Sequence, residues 1–348
     1  MTYITAMKAW ILDKVTSVAE NPEPLRLVSL VKPEPKAGEV LIRVRTCGVC
    51  HTELDEIEGR TPPPEYPVVP GHQVVGIIEV HNGKRRDIQP GDRVGVAWIF
   101  SACGHCDNCL AGYENLCSDF LATGRDRHGG YAEYIVADER FVYPMPRVFT
   151  DAQAAPLLCA GAIGYRSLAL CLPRDGQHIG LTGFGASGHL VLKLIQYQFP
   201  QSEVYVFARS EQERAFALDL GARWVGDTSD SPPHLLDAII DTTPVWTPVF
   251  HALQALRPGG RLVINAIRKE NHDIHILTEL DYPSQLWLEK EIKSVANVTR
   301  HDVTEFIRIA AEMPFIPDIE IYPFTDANRA LHDMRTRNIK GAKVLTVE

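Results

Sequence analysis

From Gln177 onward, strand-length apolar runs alternate with helix-length amphipathic ones, and this limits the fold more than any other feature of the chain. "QHIGLTG" precedes "GHLVLKLIQYQF", "EVYVFA" precedes "SEQERAFALDLG", and "LDAIID" precedes "VWTPVFHALQAL"; "GRLVINA" continues the series. Strands linked in this way by helical crossovers form a parallel sheet. Within the series, "GLTGFGASGHL" sets Gly183, Gly185 and Gly188 in G-x-G-x-x-G after a strand and at the opening of a helix. Glycines there permit a tight turn and close backbone approach to a pyrophosphate at the helix N-terminus. In a run of βαβ units the motif is good evidence for a dinucleotide.

The first 150 residues have a different texture. "EVLIRVRTC", "HQVVGIIEV", "GDRVGVAWI" and "GYAEYIVA" are apolar over strand lengths and bounded by turn residues, while "TPPPEYPVVPG" is too rich in proline for a central strand. This half reads as an antiparallel, barrel-like β domain with long loops. The texture changes at Asp151, the expected N-cap of a helical stretch containing "APLLCAGAIG". Helical stretches from about Thr299 and at "TDANRALHDMRTR", then a strand "AKVLTV", close the chain.

At 348 residues two domains are expected. The net charge of −9 argues against nucleic acid or an anionic membrane as main partner, since either wants a cationic face. The first residues lack a basic region followed by a long apolar run, and no segment reaches the roughly 20 apolar residues of a membrane span. A cytoplasmic location is therefore expected, and eight cysteines there read as metal ligands or buried thiols rather than disulfides.

Four of them, Cys103, Cys106, Cys109 and Cys117, form C-x2-C-x2-C-x7-C in "CGHCDNCLAGYENLC". Two-residue gaps let successive thiolates converge on one ion, and the longer loop returns the fourth. Four thiolates with no open position describe a structural zinc site. An iron–sulfur cluster is the alternative, but the ferredoxin run has a shorter last gap and a proline where Ser118 stands.

"CGVCHTELD", residues 47–55, is open to three readings: a redox pair, a metal site or a packed strand end. The redox reading is weak because acidic residues and a proline loop follow, not a thioredoxin-like unit. A metal needs partners elsewhere, and His72 in "PGHQVVG" and Cys159 in "PLLCAGAIGY" supply them. Two cysteines and a histidine make the donor set of a catalytic zinc with an open fourth position.

In "CGVCHTEL", "GHQVVG", the four-cysteine lobe, "PLLCAGAIGY" and "GFGASG" the chain resembles the zinc-dependent medium-chain alcohol dehydrogenases, over essentially its full length. The resemblance implies an α/β plus β architecture. A GroES-like β-barrel catalytic domain spans 1–158 and 297–348, with a structural zinc lobe around 101–118. A Rossmann doubly wound parallel-sheet cofactor domain spans 159–296. It implies Cys50, not Cys47, as ligand with His72 and Cys159, hence two zinc ions per chain, and it leaves Cys47 as a buried strand thiol. It implies that Thr52 hydrogen-bonds the substrate alcohol and passes on its proton, and that His51 contacts the cofactor pyrophosphate. Glu53 stands where aspartate usually orients the ligand histidine. Trp98 matches an aromatic lining the pocket for small primary alcohols. Asp55 replaces a relay histidine, a poor exchange near neutrality given a carboxylate's ordinary pKa of about 3.9. Gln73, where glutamate is common, offers no anionic second ligand.

The second strand of the cofactor unit bears on the nicotinamide. NAD-binding units usually place Asp or Glu about 20 residues after the glycines. Here Ala208, Arg209 and Ser210 follow the strand, and Arg209 with Ser210 can hold a 2′-phosphate. NADP(H) is expected over NAD(H), although Arg209 could instead stack on adenine with NAD bound. Arg300, in "NVTRHD", resembles a cofactor-contacting arginine of the family or is a solvated helix start. The expected activity interconverts primary aliphatic or aromatic alcohols and aldehydes. The rivals are a catalytically silent NADP(H)-binding sensor and a secondary-alcohol or polyol dehydrogenase. The expected partners are the small substrate and further copies of the chain, as dimer or tetramer.

Overall fold

The computed structural model describes residues 5–313, 315–336 and 341–347. Its packing divides into two units, Met1–Ala162 with Asn297–Glu348, and Ile163–Ala296. Arg337, the last residue of the expected closing helix, lies outside the described residues; that helix runs Ala327–Thr336.

In the first unit the organising element is the strand Glu39–Val49. Its apolar positions are buried while Arg43 and Arg45 face out. It pairs antiparallel with Val74–Asn82 on one side and with Ala342–Thr346 on the other, and its first residues also pair with Tyr134–Asp138. Arg93–Val96 and Val142–Pro144 continue the sheet beyond Val74–Asn82, and Ile319–Pro323 lies parallel to Ala342–Thr346 at the far edge. The expected antiparallel β domain is thus present. Val40, Ile42, Val44, Val74, Ile78, Val94, Ile135 and Leu345 share its core, each at most 2% exposed. Burying side chains of this size contributes about 1.5–3 kcal/mol apiece before the entropy of ordering them is counted.

The second unit is a six-stranded sheet in the order Trp224–Gly226, Glu203–Phe207, His178–Thr182, Leu236–Asp241, Leu256–Ile264, Glu291–Ser294. Every pairing is parallel. The strand order reverses beside His178–Thr182, the doubly wound pattern that opens a crevice at the strands' carboxyl ends. Glu291–Ser294 escaped the sequence reading because "EIKS" holds a single apolar residue; all four residues are exposed at the sheet edge.

Two local expectations are corrected. Thr150, not Asp151, caps the helix Asp151–Ala154: its hydroxyl accepts from the Gln153 amide while Gln153 Oε1 accepts from the Thr150 amide. The Asp151 carboxylate instead accepts from Arg93 Nε at 2.6 Å. Cys159 does not sit inside a helix. It breaks the chain between the 3-10 turn Ala155–Leu158 and the helix Ala160–Leu170, with φ −132° and ψ −77°. Among the described residues no helix is long and apolar enough to cross a membrane.

Candidate metal centres and cofactor turn

The strand Glu39–Val49 ends one residue before Cys50, which caps the short helix His51–Ile57. Glu53 is the third residue of that helix, so its carboxylate reaches back to the Cys50 amide, with N···Oε2 at 2.7 Å. Its other oxygen lies 2.5 Å from His72 Nδ1. Both side chains are at most 1% exposed, and the longer arm of glutamate therefore spans the gap. A carboxylate facing Nδ1 leaves Nε2 as the donor atom toward a metal.

That Nε2 is 3.1 Å from Cys159 Sγ, and Cys159 Sγ is 4.0 Å from Cys50 Sγ. All three donor atoms lie within 4.8 Å of one another. Tetrahedral zinc with Zn–S bonds near 2.3 Å would space two thiolates about 3.8 Å apart, so the set fits the ion. The protonation balance agrees. The hydrogen bond from Cys159 holds the Cys50 thiol well below its ordinary range against the opposing effect of burial, and the same bond with burial pushes Cys159 up. Burial disfavours a charged His72, but Glu53 and Cys50 outweigh it and raise its pKa. A cation entering such a cluster displaces protons and takes over their role.

The His72 turn depends on the residue before it. Gly71 has φ +98°, and a Cβ there would sit 2.4 Å from the Tyr131 ring and 2.9 Å from Cys47 Sγ. Cys47 itself is fully buried in the strand. Gln73 is buried with its side chain over Gly48, where an added Cβ would meet its Oε1 at 2.4 Å.

Around this centre Thr52 Oγ1 lies 3.6 Å from Cys50 Sγ. Trp98 stands edge-on to the His72 ring with centroids 6.5 Å apart. His51 is exposed at the helix start. Asp55 is ion-paired with Arg60, and burial, the larger influence, raises its pKa against that pairing. Sequence reading missed Glu56. Its Oε1 accepts from Trp98 Nε1 at 3.3 Å, and burial, reinforced by Glu53, pushes its carboxyl well up. A bare glutamate in a helix gives no sign of the indole that it will meet 42 residues later.

The four lobe cysteines also converge, with all sulfurs within 4.8 Å and Cys103 Sγ 3.8 Å from Cys109 Sγ. The amides of Cys106 and Asp119 donate to Cys103 Sγ and Cys117 Sγ at 3.4 and 3.3 Å. Amide bonds from His105 and Cys106 hold Cys103 at about 6, whereas burial pushes Cys109 up to about 12. Four sulfurs this close to one another suit a closed metal site.

In the second unit Gly183 has φ +80°, and a Cβ there would lie 2.7 Å from Thr242 Oγ1. Gly185 caps the helix Ala186–Gln198, and a Cβ on Gly188 would press on the Gly183 carbonyl at 2.9 Å. Ala208 is buried, Arg209 is exposed, and the Ser210 hydroxyl accepts from the Glu213 amide at 3.4 Å. Arg300 opens the helix Arg300–Glu312 and is bound to Glu114, Nε to Oε1 at 2.7 Å.

A model of the alcohol dehydrogenase GroES-like domain matches residues 36–147. A probable alcohol dehydrogenase, AdhA, of Mycobacterium tuberculosis is 40% identical over 93% of this chain and 93% of its own. An alcohol dehydrogenase of Geobacillus stearothermophilus is 32% identical over 96% of this chain and 100% of its own. The solved structure of a cinnamyl alcohol dehydrogenase, SbCAD4, from Sorghum bicolor aligns with TM-score 0.81 at 26% identity, covering 98% of each chain. The chain belongs to the zinc-dependent medium-chain alcohol dehydrogenase family and is an oxidoreductase with a GroES-like domain and a Rossmann-type sheet.

Proposed function

We propose that the chain interconverts primary alcohols and aldehydes with a catalytic zinc on Cys50, His72 and Cys159. The observation that carries this reading is the three-donor cluster with Glu53 behind His72: three protein ligands leave a position for substrate, where four would close it. Zinc supplies Lewis-acid polarisation of the substrate oxygen and the nicotinamide supplies the hydride chemistry. Thr52, on the first turn beside Cys50, holds the substrate hydroxyl and takes or returns its proton. Asp55, kept largely buried by its pairing with Arg60, is the proposed next acceptor. Trp98, held by Glu56 and edge-on to His72, walls the pocket toward small or planar substrates.

A second zinc is assigned to Cys103, Cys106, Cys109 and Cys117. Gly183, Gly185 and Gly188 cradle the cofactor pyrophosphate, with His51 as a further contact. NADP(H) is favoured because Ala208 offers no carboxylate to repel a 2′-phosphate and Arg209 is exposed, with no ion pair among the described residues. The resemblance assigns Arg300 to the cofactor as well, but its bond to Glu114 supports a structural part. A cytoplasmic homo-oligomer is proposed; the unpaired edge of Glu291–Ser294 and the exposed Tyr282, Trp287, Leu288 and Ile292 support self-association.

The test is steady-state reduction of benzaldehyde and of a short aliphatic aldehyde by zinc-replete protein with NADPH and with NADH. Faster turnover with NADPH is expected. Preference for NADH would overturn the cofactor assignment, and failure to oxidise either would overturn the catalytic one.

A further inference from the structure

Away from the cysteine–histidine cluster, the first unit holds a cavity of about 480 Å³ lined by Arg85, Arg140, Arg300, Glu114, Tyr143 and His301 among others. None of the residues assigned above to the catalytic zinc lines it. Three guanidinium groups around one space repel one another, and each is partly neutralised. Arg85 donates to Asp87 at 2.8 Å from both Nε and Nη2, Arg140 to Asp138 from Nε and Nη2, and Arg300 to Glu114 from its amide, Nε and Nη2. Arg85 Nη1 is spent on the Glu139 and Val142 carbonyls. Nη1 of Arg140 and Nη1 of Arg300 donate in none of these bonds, and Arg140 acts on Arg300 as a like charge.

A second observation is independent of the charges. The Tyr143 hydroxyl, on a side chain 4% exposed that lines this cavity, is buried with no hydrogen-bond partner among the described residues. Such a group costs about 1–3 kcal/mol unless something bonds to it. The cavity is also bounded on one side by the first turn of the 13-residue helix Arg300–Glu312, whose positive end already holds the Glu114 carboxylate.

We propose that this cavity binds a phosphomonoester dianion, its oxygens bonded by Arg140 and Arg300 through Nη1 and by the Tyr143 hydroxyl. The two Nη1 groups are spare hydrogen-bond donors on charged side chains, and planar guanidinium donors suit phosphate oxygens. A volume within the usual range of small-molecule sites leaves room for an organic group beside the phosphoryl. Glu114 belongs to the stretch between Cys109 and Cys117, so the occupant sits against the four-cysteine lobe and braces it.

The experiment is calorimetric titration of the full, zinc-loaded chain with glycerol 3-phosphate and, separately, with inorganic phosphate, at constant ionic strength set by chloride. Saturable binding of at least one is expected. Arg140→Gln should weaken it about tenfold and Tyr143→Phe about fivefold, with Arg140→Lys in between and aldehyde reduction retained in all three. The same ligand should slow extraction of the lobe metal by a chelator. Tighter binding of the ester assigns the site to an organic phosphate, and equal binding assigns it to the free ion. The proposal is overturned if neither binds beyond chloride, if Arg140→Gln and Tyr143→Phe bind as the parent does, or if NADPH displaces the ligand.

Discussion

Glu53 serves two masters at once, the Cys50 amide and the His72 ring, and so couples the backbone of one proposed ligand to the tautomer of another. Glu53→Gln should keep the cap on Cys50 but weaken zinc at the three-ligand site 10–100-fold, while the four-cysteine site keeps its metal. Metal analysis after dialysis against a graded chelator checks this; loss of both ions together would contradict it. Cys50, His51, Thr52 and Glu53 are contiguous, so a helix start places them and sequence alone can show them. His72 was legible as the metal partner offered by "PGHQVVG"; the structure adds the reason for its turn, the positive φ of Gly71, which only a glycine takes without strain. The fates of Glu56 and Asp55 were not legible, because Trp98 and Arg60 reach them by tertiary packing that no local pattern encodes.

Among the elements, the helix Asp107–Leu110 is informative because none of its residues is buried. A segment without apolar burial cannot hold itself, so on the proposed zinc assignment metal ligation provides most of the order of the lobe. Cys106→Ser should therefore release one zinc per chain and make the stretch around 104–116 the first site of limited proteolysis. Cleavage elsewhere first would argue that packing, not metal, orders it. A second element, the turn Asn82–Arg85, is clamped by Glu139, which accepts from the Lys84 and Arg85 amides and lies 2.8 Å from His81 Nε2. Burial would raise this carboxyl, yet those bonds hold it at about 2, below its ordinary 4.5. A depressed pKa contributes stability that is complete above the ordinary value and is lost as pH falls from about 4.5 toward 2. The Tm gap between the parent and Glu139→Gln should be constant above pH 5 and close over that window; a gap that persists at pH 2 would refute the clamp. The strong strands and helices of the second unit were legible from apolar runs. Its edge strand was not, since Glu291–Ser294 is fixed by backbone pairing with Arg261–Ile264 rather than by side chains of its own.

At the scale of the whole molecule the chain leaves its first unit, builds the second, and returns. The return was visible in the sequence as a helix–strand pattern after Thr299, but its destination was not, because register between residues as far apart as Gly48 and Val344 leaves no local trace. Ala342–Thr346 lands between Ile319–Pro323 and Glu39–Val49, with Val344 opposite Gly48 and Leu345 opposite Cys47. Deleting residues 341–348 should leave Glu39–Val49 with a bare edge and give protein that aggregates and takes up little metal at Cys50, as judged by light scattering and metal content. A monodisperse, fully metallated product would show that strand to be dispensable. The register carries a further meaning for synthesis. A ribosome has made the whole of the second unit before the strand leading to Cys50 acquires its neighbour at Ala342–Thr346, and that unit can fold before then. On the proposed assignment, metal loading at Cys50 thus waits for a strand made after the second unit, and a chain interrupted before Ala342 would carry a finished nucleotide fold beside an unfinished metal site.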